Sequence, residues 1–428
     1  MPDRFTGLLG VAVILGLAFA LSNNKRAINY RLVLSGLGLQ LALALFILKT
    51  SVGKAVFGWL GMAVSKLLSF ADRGADFVFG PLVKNELMAG AFGEGNTFIF
   101  FFKIIPTIIF VAVLVSIAYH IGLMQRVVSA LAVLVYKLMG VSGSEALSNI
   151  ASVFVGQVEA QIMIKPYIPA MTRSELLASM AGSMACIAGG VLAVYVSLGV
   201  PADYLIAASL MAAPGALVIS KIVYPETEPS ATKGTVKLHV EKTTANLVDA
   251  ISHGASDGLR IGLNVIAMLI GFIALIALAD YGLGALGQAL ATHTSLDLSV
   301  IGLDLNRLSI QYLLGKLFSL FAFVMGVPGA DIQAAGELMG TKFVINEFVA
   351  YLDLAPQIKA GTLDPKTVTI VTFALCGFAN FSSVAIQVGG IGELAPSRRK
   401  DLSELGFKAL ICGTLASYLS ATIAGMLV

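Results

Sequence analysis

Eight stretches of this chain carry no Asp, Glu, Lys or Arg and are long enough to cross a lipid bilayer: residues 5–24, 32–48, 104–125, 176–202, 204–220, 261–279, 367–392 and 409–428. A charge at the bilayer centre costs at least about 2.5 kcal/mol on insertion scales, so long uncharged runs mark membrane-crossing helices. At about 1.5 Å per residue each run crosses roughly 30 Å of hydrocarbon, the shorter ones using a flanking residue or two. Composition agrees, with 57% hydrophobic and 12% charged residues, where a soluble domain carries about 25% charge. A soluble globular enzyme is excluded. A net charge of +3, dispersed along the chain, gives no footing for nucleic acid. Cys186, Cys376 and Cys412 lie in apolar stretches without metal-site or CxxC spacing, so no disulfide framework is implied. The fold class expected is an all-α polytopic membrane protein.

Basic residues set its orientation. Lys25, Arg26 and Arg31 follow the first run, Lys221, Lys233, Lys237 and Lys242 follow the fifth, and Arg398, Arg399 and Lys400 separate the last two. All three clusters fall on one side of an eight-span arrangement. The positive-inside rule makes that side cytoplasmic and both termini external, periplasmic for a protein of the inner (plasma) membrane. Ala18-Phe19-Ala20 resembles a signal-peptidase site, but Asp3 cancels Arg4 ahead of the apolar run, so the first span is read as uncleaved.

Other segments are apolar without spanning. Residues 52–70, 122–140 and 309–327 have the one-sided pattern of interfacial amphipathic helices. Residues 144–172 and 329–354 are mostly apolar yet carry carboxylates near their middle, at Gly156-Gln157-Val158-Glu159 and at Asn346-Glu347. A carboxylate at membrane depth must face a cavity, and each stretch is the right length to enter and return as a helical hairpin. Each hairpin is followed by a span interrupted midway by small or polar residues (183–190 and 377–383), then by an unbroken one. In the eight-span arrangement the two units have opposite orientation. An inverted repeat with broken helices is the pattern of a secondary transporter with a midplane site.

The polar residues of the two units are Gln157, Glu159, Glu347, Asn380, Ser382 and Ser383, with Phe378 beside them. No Arg or Lys belongs to this set, so an anionic substrate would meet only carboxylates. A neutral solute with hydroxyls and an aromatic ring fits: carboxylates bind vicinal hydroxyls, amides read the edge of a base, and a phenyl ring offers a flat apolar face. Glu159 and Glu347 can alternatively be read as proton carriers. A membrane-embedded enzyme would need a DDxxD, an HExxH or paired aspartates in facing spans, none of which is present. A passive uniporter or channel would keep the site and lose the coupling.

The motifs GQVEA at 156–160, MGVP at 325–328, MGTKFVINEFVAYL at 339–352 and LCGFANFSS at 375–383 resemble the concentrative nucleoside transporter family, in its bacterial NupC-like branch. The resemblance runs from about residue 100 to the C-terminus. It implies cation-coupled uptake of nucleosides, no catalytic residues, no cofactor beyond a co-transported Na+ or H+, and a homotrimer in lipid with elevator-type alternating access. Gln157, Val158 and Glu159 would face the base, with Val191 and Phe378 packing near it. Glu347, Asn380 and Ser383 would hold the ribose. The implied division is 1–140 mainly scaffold, 141–224 the first transport repeat, 225–328 a cytoplasmic loop with span 6 and an interfacial helix, and 329–428 the second repeat.

The departures concern coupling. The family's first hairpin reads roughly N-x-F-x-G-Q-T-E-A-P, with the Asn and a later Ser or Thr supplying sodium ligands. Here Ser152 stands for the Asn, Val158 for the Thr, Gln161 for the Pro and Cys186 for the later Ser or Thr. Sodium prefers oxygen ligands. Ser152, Val155, Cys186 and Ile187 can still form a site through main-chain carbonyls and one hydroxyl, so sodium and the proton both stay open.

Overall fold

The computed structural model describes residues 2–93, 99–233, 244–293 and 304–428, so Lys237 and Lys242 lie outside the described residues. The first helices are α1 (Pro2–Ala20), α2 (Tyr30–Lys49), α3 (Ser51–Phe79), α4 (Asn85–Phe92), α5 (Phe100–His120) and α6 (Leu123–Met139). A first unit follows, with α7 (Gly143–Ala151), α8 (Glu159–Ile162), α9 (Arg173–Ala185), α10 (Gly189–Leu198) and α11 (Ala202–Val223). Then come α12 (Leu247–His293) and α13 (Ile310–Val324). The second unit comprises α14 (Ile332–Val344), α15 (Glu347–Ala360), α16 (Pro365–Leu375), α17 (Phe381–Leu394) and α18 (Arg399–Leu427). No strand occurs among the described residues.

Every uncharged run maps onto one helix or one interrupted pair. Seven helical stretches among the described residues are long and apolar enough to cross a membrane, and they are not the same set as the eight runs. Ser51–Phe92 qualifies on length and mean hydropathy, although the 52–70 pattern is one-sided. Residues 367–392 drop out because the helix breaks between Leu375 and Phe381, leaving two pieces too short to qualify. Thr6–Ala20 is likewise a shorter apolar helix.

The core lies where the two units meet. The apolar windows of α11 and α18 are 89% and 83% buried, against 22% for the window spanning α3 and α4 and 6% for that of α12. α1 packs on α18 and α11, and α2 on α11, α18, α3 and α6. Gln40 of α2, fully buried, donates to Met211 O and Ser420 Oγ, both at 3.0 Å. At the periphery α12 crosses α5 closely through Gly254, Gly258 and Gly262. A Cβ at Gly258 would lie 2.6 Å from the α-carbon of Ile109, the close backbone approach that small residues at four-residue spacing allow.

The basic connections converge at one end of the bundle. Asn23 N donates to Val223 O at 3.1 Å, and Lys408 Nζ sits 5.6 Å from the Tyr224 ring centroid. Here Lys221 pairs with Glu145 and, at 3.2 Å, with Glu226. Arg398 donates to the carbonyls of Ile168, Pro169 and Met171, tying the base of the first hairpin to the turn before α18.

Candidate functional site

Four helix starts of the two units are capped by their own side chains, those of α7 and α9 at the basic end beside Lys221 and those of α15 and α17 at the site inside the protein. α7 and α9 start with capping boxes, Ser142 with Glu145 and Thr172 with Glu175, which satisfy orphan N–H groups reciprocally. In the second unit asparagine does this work. Asn346 Oδ1 accepts from Val349 N at 2.9 Å to start α15, and Asn380 Oδ1 accepts from Ser383 N at 2.9 Å to start α17. A buried helix start needs such a cap because no water is there to replace it.

The two breaks touch. Phe378 N, in the gap before α17, donates to Cys186 O at 3.2 Å in the gap after α9. Ser417 Oγ of α18 donates to Cys376 O at 3.1 Å, covering a carbonyl left over by the break. Gly377 adopts φ +143°, and a Cβ there would lie 2.6 Å from Ala185 O, so both conformation and space demand glycine.

Around these ends the sequence-derived residues form one hydrogen-bonded chain. Gln157 Nε2 at the first hairpin tip donates to Ser383 Oγ at 3.3 Å. Ser383 N reaches Asn380 Oδ1, which also accepts from Ser382 Oγ at 2.7 Å. With its oxygen thus occupied, Asn380 turns its Nδ2 to Glu347 Oε2 at 3.2 Å. The other Glu347 oxygen accepts from Tyr195 Oη at 3.0 Å. Glu347, Asn380 and Ser383 are buried, Gln157 and Val158 half-buried and Glu159 exposed. Val191 and Phe378 are half-buried, at the start of α10 and just before α17. Glu159 folds back over Gly156, where a Cβ would lie 2.1 Å from its carboxylate.

Sequence reasoning missed three members. Tyr195 lies one helical turn beyond Val191, and Gln387 one turn beyond Ser383, each on the face of a residue already singled out. That spacing was the available signal. Gln387 Nε2 donates to Met180 O at 3.2 Å and to Gln157 Oε1 at 3.3 Å. Lys342, fully buried, is a third: its Nζ donates to Ala374 O at 3.0 Å, at the negative end of α16.

The four residues considered for sodium are all buried, and the polar side chains among them, Ser152 and Cys186, are engaged. Ser152 Oγ donates to Ser148 O at 2.7 Å and lies 2.9 Å from Ser183 Oγ. Ser183 Oγ accepts from Gln161 Nε2 at 2.7 Å, and Gln161 Oε1 accepts from Ser179 Oγ at 2.6 Å. The Cys186 thiol points to Ser209 O at 3.6 Å, and its carbonyl takes the N–H of Phe378. Among the described residues, no hydrogen-bond donor reaches the carbonyls of Val155 and Ile187.

Three family models cover nearly all of the chain: "Na+ dependent nucleoside transporter N-terminus" matches residues 9–82, "Nucleoside recognition" 101–202 and "Na+ dependent nucleoside transporter C-terminus" 204–425. The transporter YutK of Bacillus subtilis is 43% identical over 99% of both chains. The nucleoside permease NupC of Helicobacter pylori is 39% identical over 98% of this chain and 97% of its own. The solved structure of CNTnw in an inward-facing substrate-bound state superposes with a TM-score of 0.89, at 40% identity over 99% and 98% of the two chains. These matches span the whole chain, including the first hundred residues that the motifs did not reach. The chain belongs to the concentrative nucleoside transporter family, whose members are multi-pass membrane transporters and not enzymes.

Proposed function

We propose that this protein is a cation-coupled nucleoside transporter that carries its substrate between the two hairpin tips. The observation that carries the reading is the unbroken hydrogen-bond chain from Gln157 to Glu347, which unites an amide suited to a base edge with a carboxylate suited to vicinal hydroxyls. Gln157, Val158 and Glu159 face the base with Val191 and Phe378 beside it, and Glu347, Asn380 and Ser383 hold the ribose. Nothing in this set favours an anionic substrate.

The coupling ion is a proton. Supporting this, the hydroxyl of Ser152 is engaged by Ser148 and Ser183, Gln161 inserts an N–H donor beside it, and the Cys186 thiol turns away to Ser209. A site lined by donors and a thiol is a poor sodium cage. The proton then rides on one of the two tip carboxylates, Glu159 or Glu347.

Residues 141–224 and 329–428 form the moving transport domain of an elevator. α1 and α2 travel with it, because both are seated on α11 and α18 and Gln40 fastens α2 there. The scaffold is then α3, α5 and α12, with residues 225–328 supplying its connection. The apolar, mostly exposed α12 faces lipid and the other subunits of a homotrimer. Eight crossings, with the hairpins re-entering from opposite sides, put both termini outside the inner membrane.

Uptake of radiolabelled uridine into proteoliposomes, driven separately by a sodium gradient and by a pH gradient, tests the reading. Accumulation with the pH gradient alone is expected. Accumulation with sodium alone overturns the coupling assignment, and no uptake of any nucleoside with either gradient overturns the substrate.

A further inference from the structure

Gln387 lies in the interior of α17, and the transport reading gives it no role. It is fully buried, and its Nε2 has two acceptors, Met180 O and Gln157 Oε1. A main-chain carbonyl can only accept, so Met180 fixes which end of the Gln387 amide faces the hairpin tip. Flipping that amide would set two carbonyl oxygens against each other. The second hydrogen on Nε2 then requires an acceptor, and Gln157 must present Oε1 to it. The NH2 of Gln157 is thereby turned the other way, with one hydrogen on Ser383 Oγ and one left over at the half-buried tip. The tip is also held in place laterally. A Cβ at Gly390, one turn beyond Gln387, would lie 2.7 Å from Cγ2 of Val158, so the hairpin rests directly on α17.

We infer that Gln387 is a positioning residue that fixes Gln157 as a hydrogen-bond donor, so that the site selects nucleosides whose base presents a carbonyl oxygen rather than an amino group to the first hairpin. The inference rests on the nucleoside reading above and adds base selectivity to it. Uridine and cytidine differ in this sense at C4, and inosine and adenosine at C6. An amino group facing a fixed N–H leaves two donors without an acceptor at the half-buried tip.

The test is competition: unlabelled uridine, cytidine, inosine and adenosine against labelled uridine uptake in proteoliposomes. The wild-type protein should bind the keto member of each pair at least about tenfold more tightly than the amino member. In Gln387→Leu the Gln157 amide can turn either way. The ratio within each pair should fall to about threefold or less, whatever happens to the maximal uptake rate. Loss of a merely structural residue would lower the rate and leave the ratio alone. Gln157→Glu keeps an oxygen for Gln387 and offers an acceptor to the base, so the preference should invert toward cytidine and adenosine; this variant decides the matter if Gln387→Leu does not fold. A wild-type protein without keto preference, an unchanged ratio in Gln387→Leu, or no inversion in Gln157→Glu overturns the inference. A wild-type protein that transports no nucleoside overturns the functional reading itself, and the inference falls with it.

Discussion

Away from the Glu145–Lys221 pair at its base, hairpin 1 buries neutral polar groups, whereas hairpin 2 buries charges beside its tip. In the first, Ser148, Ser152, Ser183, Gln161 and Ser179 satisfy one another in a ladder between α7 and α9, and the returning limb is mostly turns, with only the four-residue α8. In the second, two helices of 13 and 14 residues meet at Ile345-Asn346, with Lys342 and Glu347 on either side of the tip. Each charge sits at a helix end of opposite sign: Lys342 on a carbonyl in the last turn of α16, Glu347 in the first turn of α15. A charge held between helix ends and fixed donors has one arrangement, while a ladder of hydroxyls and amides can exchange partners. The end proposed to hold the ribose is therefore rigid, and the end proposed to face the base is open to retuning by single substitutions.

The sharpest way to break this contrast is Glu347→Gln. The buried carboxylate accepts from Tyr195 and Asn380 and has capacity left for substrate hydroxyls. An amide brings two donors into a place organised around an acceptor. Charged hydrogen bonds contribute about 1.5–3 kcal/mol each, so losing two to the substrate predicts a fall in uptake of roughly 100-fold or more. Size-exclusion behaviour should be unchanged, and normal transport by this variant would refute the ribose assignment.

Gly377→Ala strikes where the two units touch. The substitution forces an L residue into φ +143° and a methyl group to 2.6 Å from Ala185 O. Strain of this kind costs about 1–3 kcal/mol, before the displacement of α9 is added. A clear drop in thermal midpoint is expected, with uptake falling in proportion. A midpoint equal to that of the wild-type protein would mean that the breaks adjust independently.

How much of this was legible in the sequence follows from the same physics. The apolar helices could be read because charge is excluded from lipid, and the turns at Glu159 and Glu347 because these carboxylates violate that exclusion. Asn346 and Asn380 stood out as polar residues in apolar surroundings, although their capping role needed the backbone. Tyr195 and Gln387 were hidden because a tyrosine or glutamine in a helix gains meaning only when its partner on another element is placed, and their partners lie 152 and 230 residues away in the chain. The ladder around Gln161 was half visible, as a departure from the family pattern, but not as a filled network. The packing of α1 and α2 on α11 and α18 left no mark in the run pattern at all.

Tyr195→Phe probes the rigid end more gently. It removes one of the two donors to Glu347 and keeps the ring, which packs 4.2 Å from Tyr351 and 5.8 Å from Phe348, centroid to centroid. Loss of one charge-assisted bond of about 1.5 kcal/mol predicts a rise in KM for uptake of roughly tenfold, with the maximal rate nearly unchanged. A fall in maximal rate at constant KM would place Tyr195 in the moving step rather than in the site.

The smallest effect, and the most informative about the open end, is expected from restoring the family's residues together: Ser152→Asn, Gln161→Pro and Cys186→Ser. These changes remove the N–H donor that Gln161 directs at Ser183 and put oxygen where the thiol lies. They leave the proposed ribose contacts alone, although proline at 161 removes the N–H that Gln161 donates to Val158 O at 2.9 Å. A hard monovalent cation needs oxygen ligands and no competing donors, so on the proposed proton coupling the triple variant should gain sodium-stimulated uptake over the wild-type protein. The gain should be modest, about two- to fivefold, because the carbonyls of Val155 and Ile187 have not been shaped around an ion and an imperfect cage recovers little of the desolvation cost. Each single substitution should do almost nothing, since Ser183 keeps another partner in every case. Sodium stimulation already present in the wild-type protein would show that the ladder opens to admit the ion, and that the neutral network of hairpin 1 is one of two states rather than a replacement for the cation.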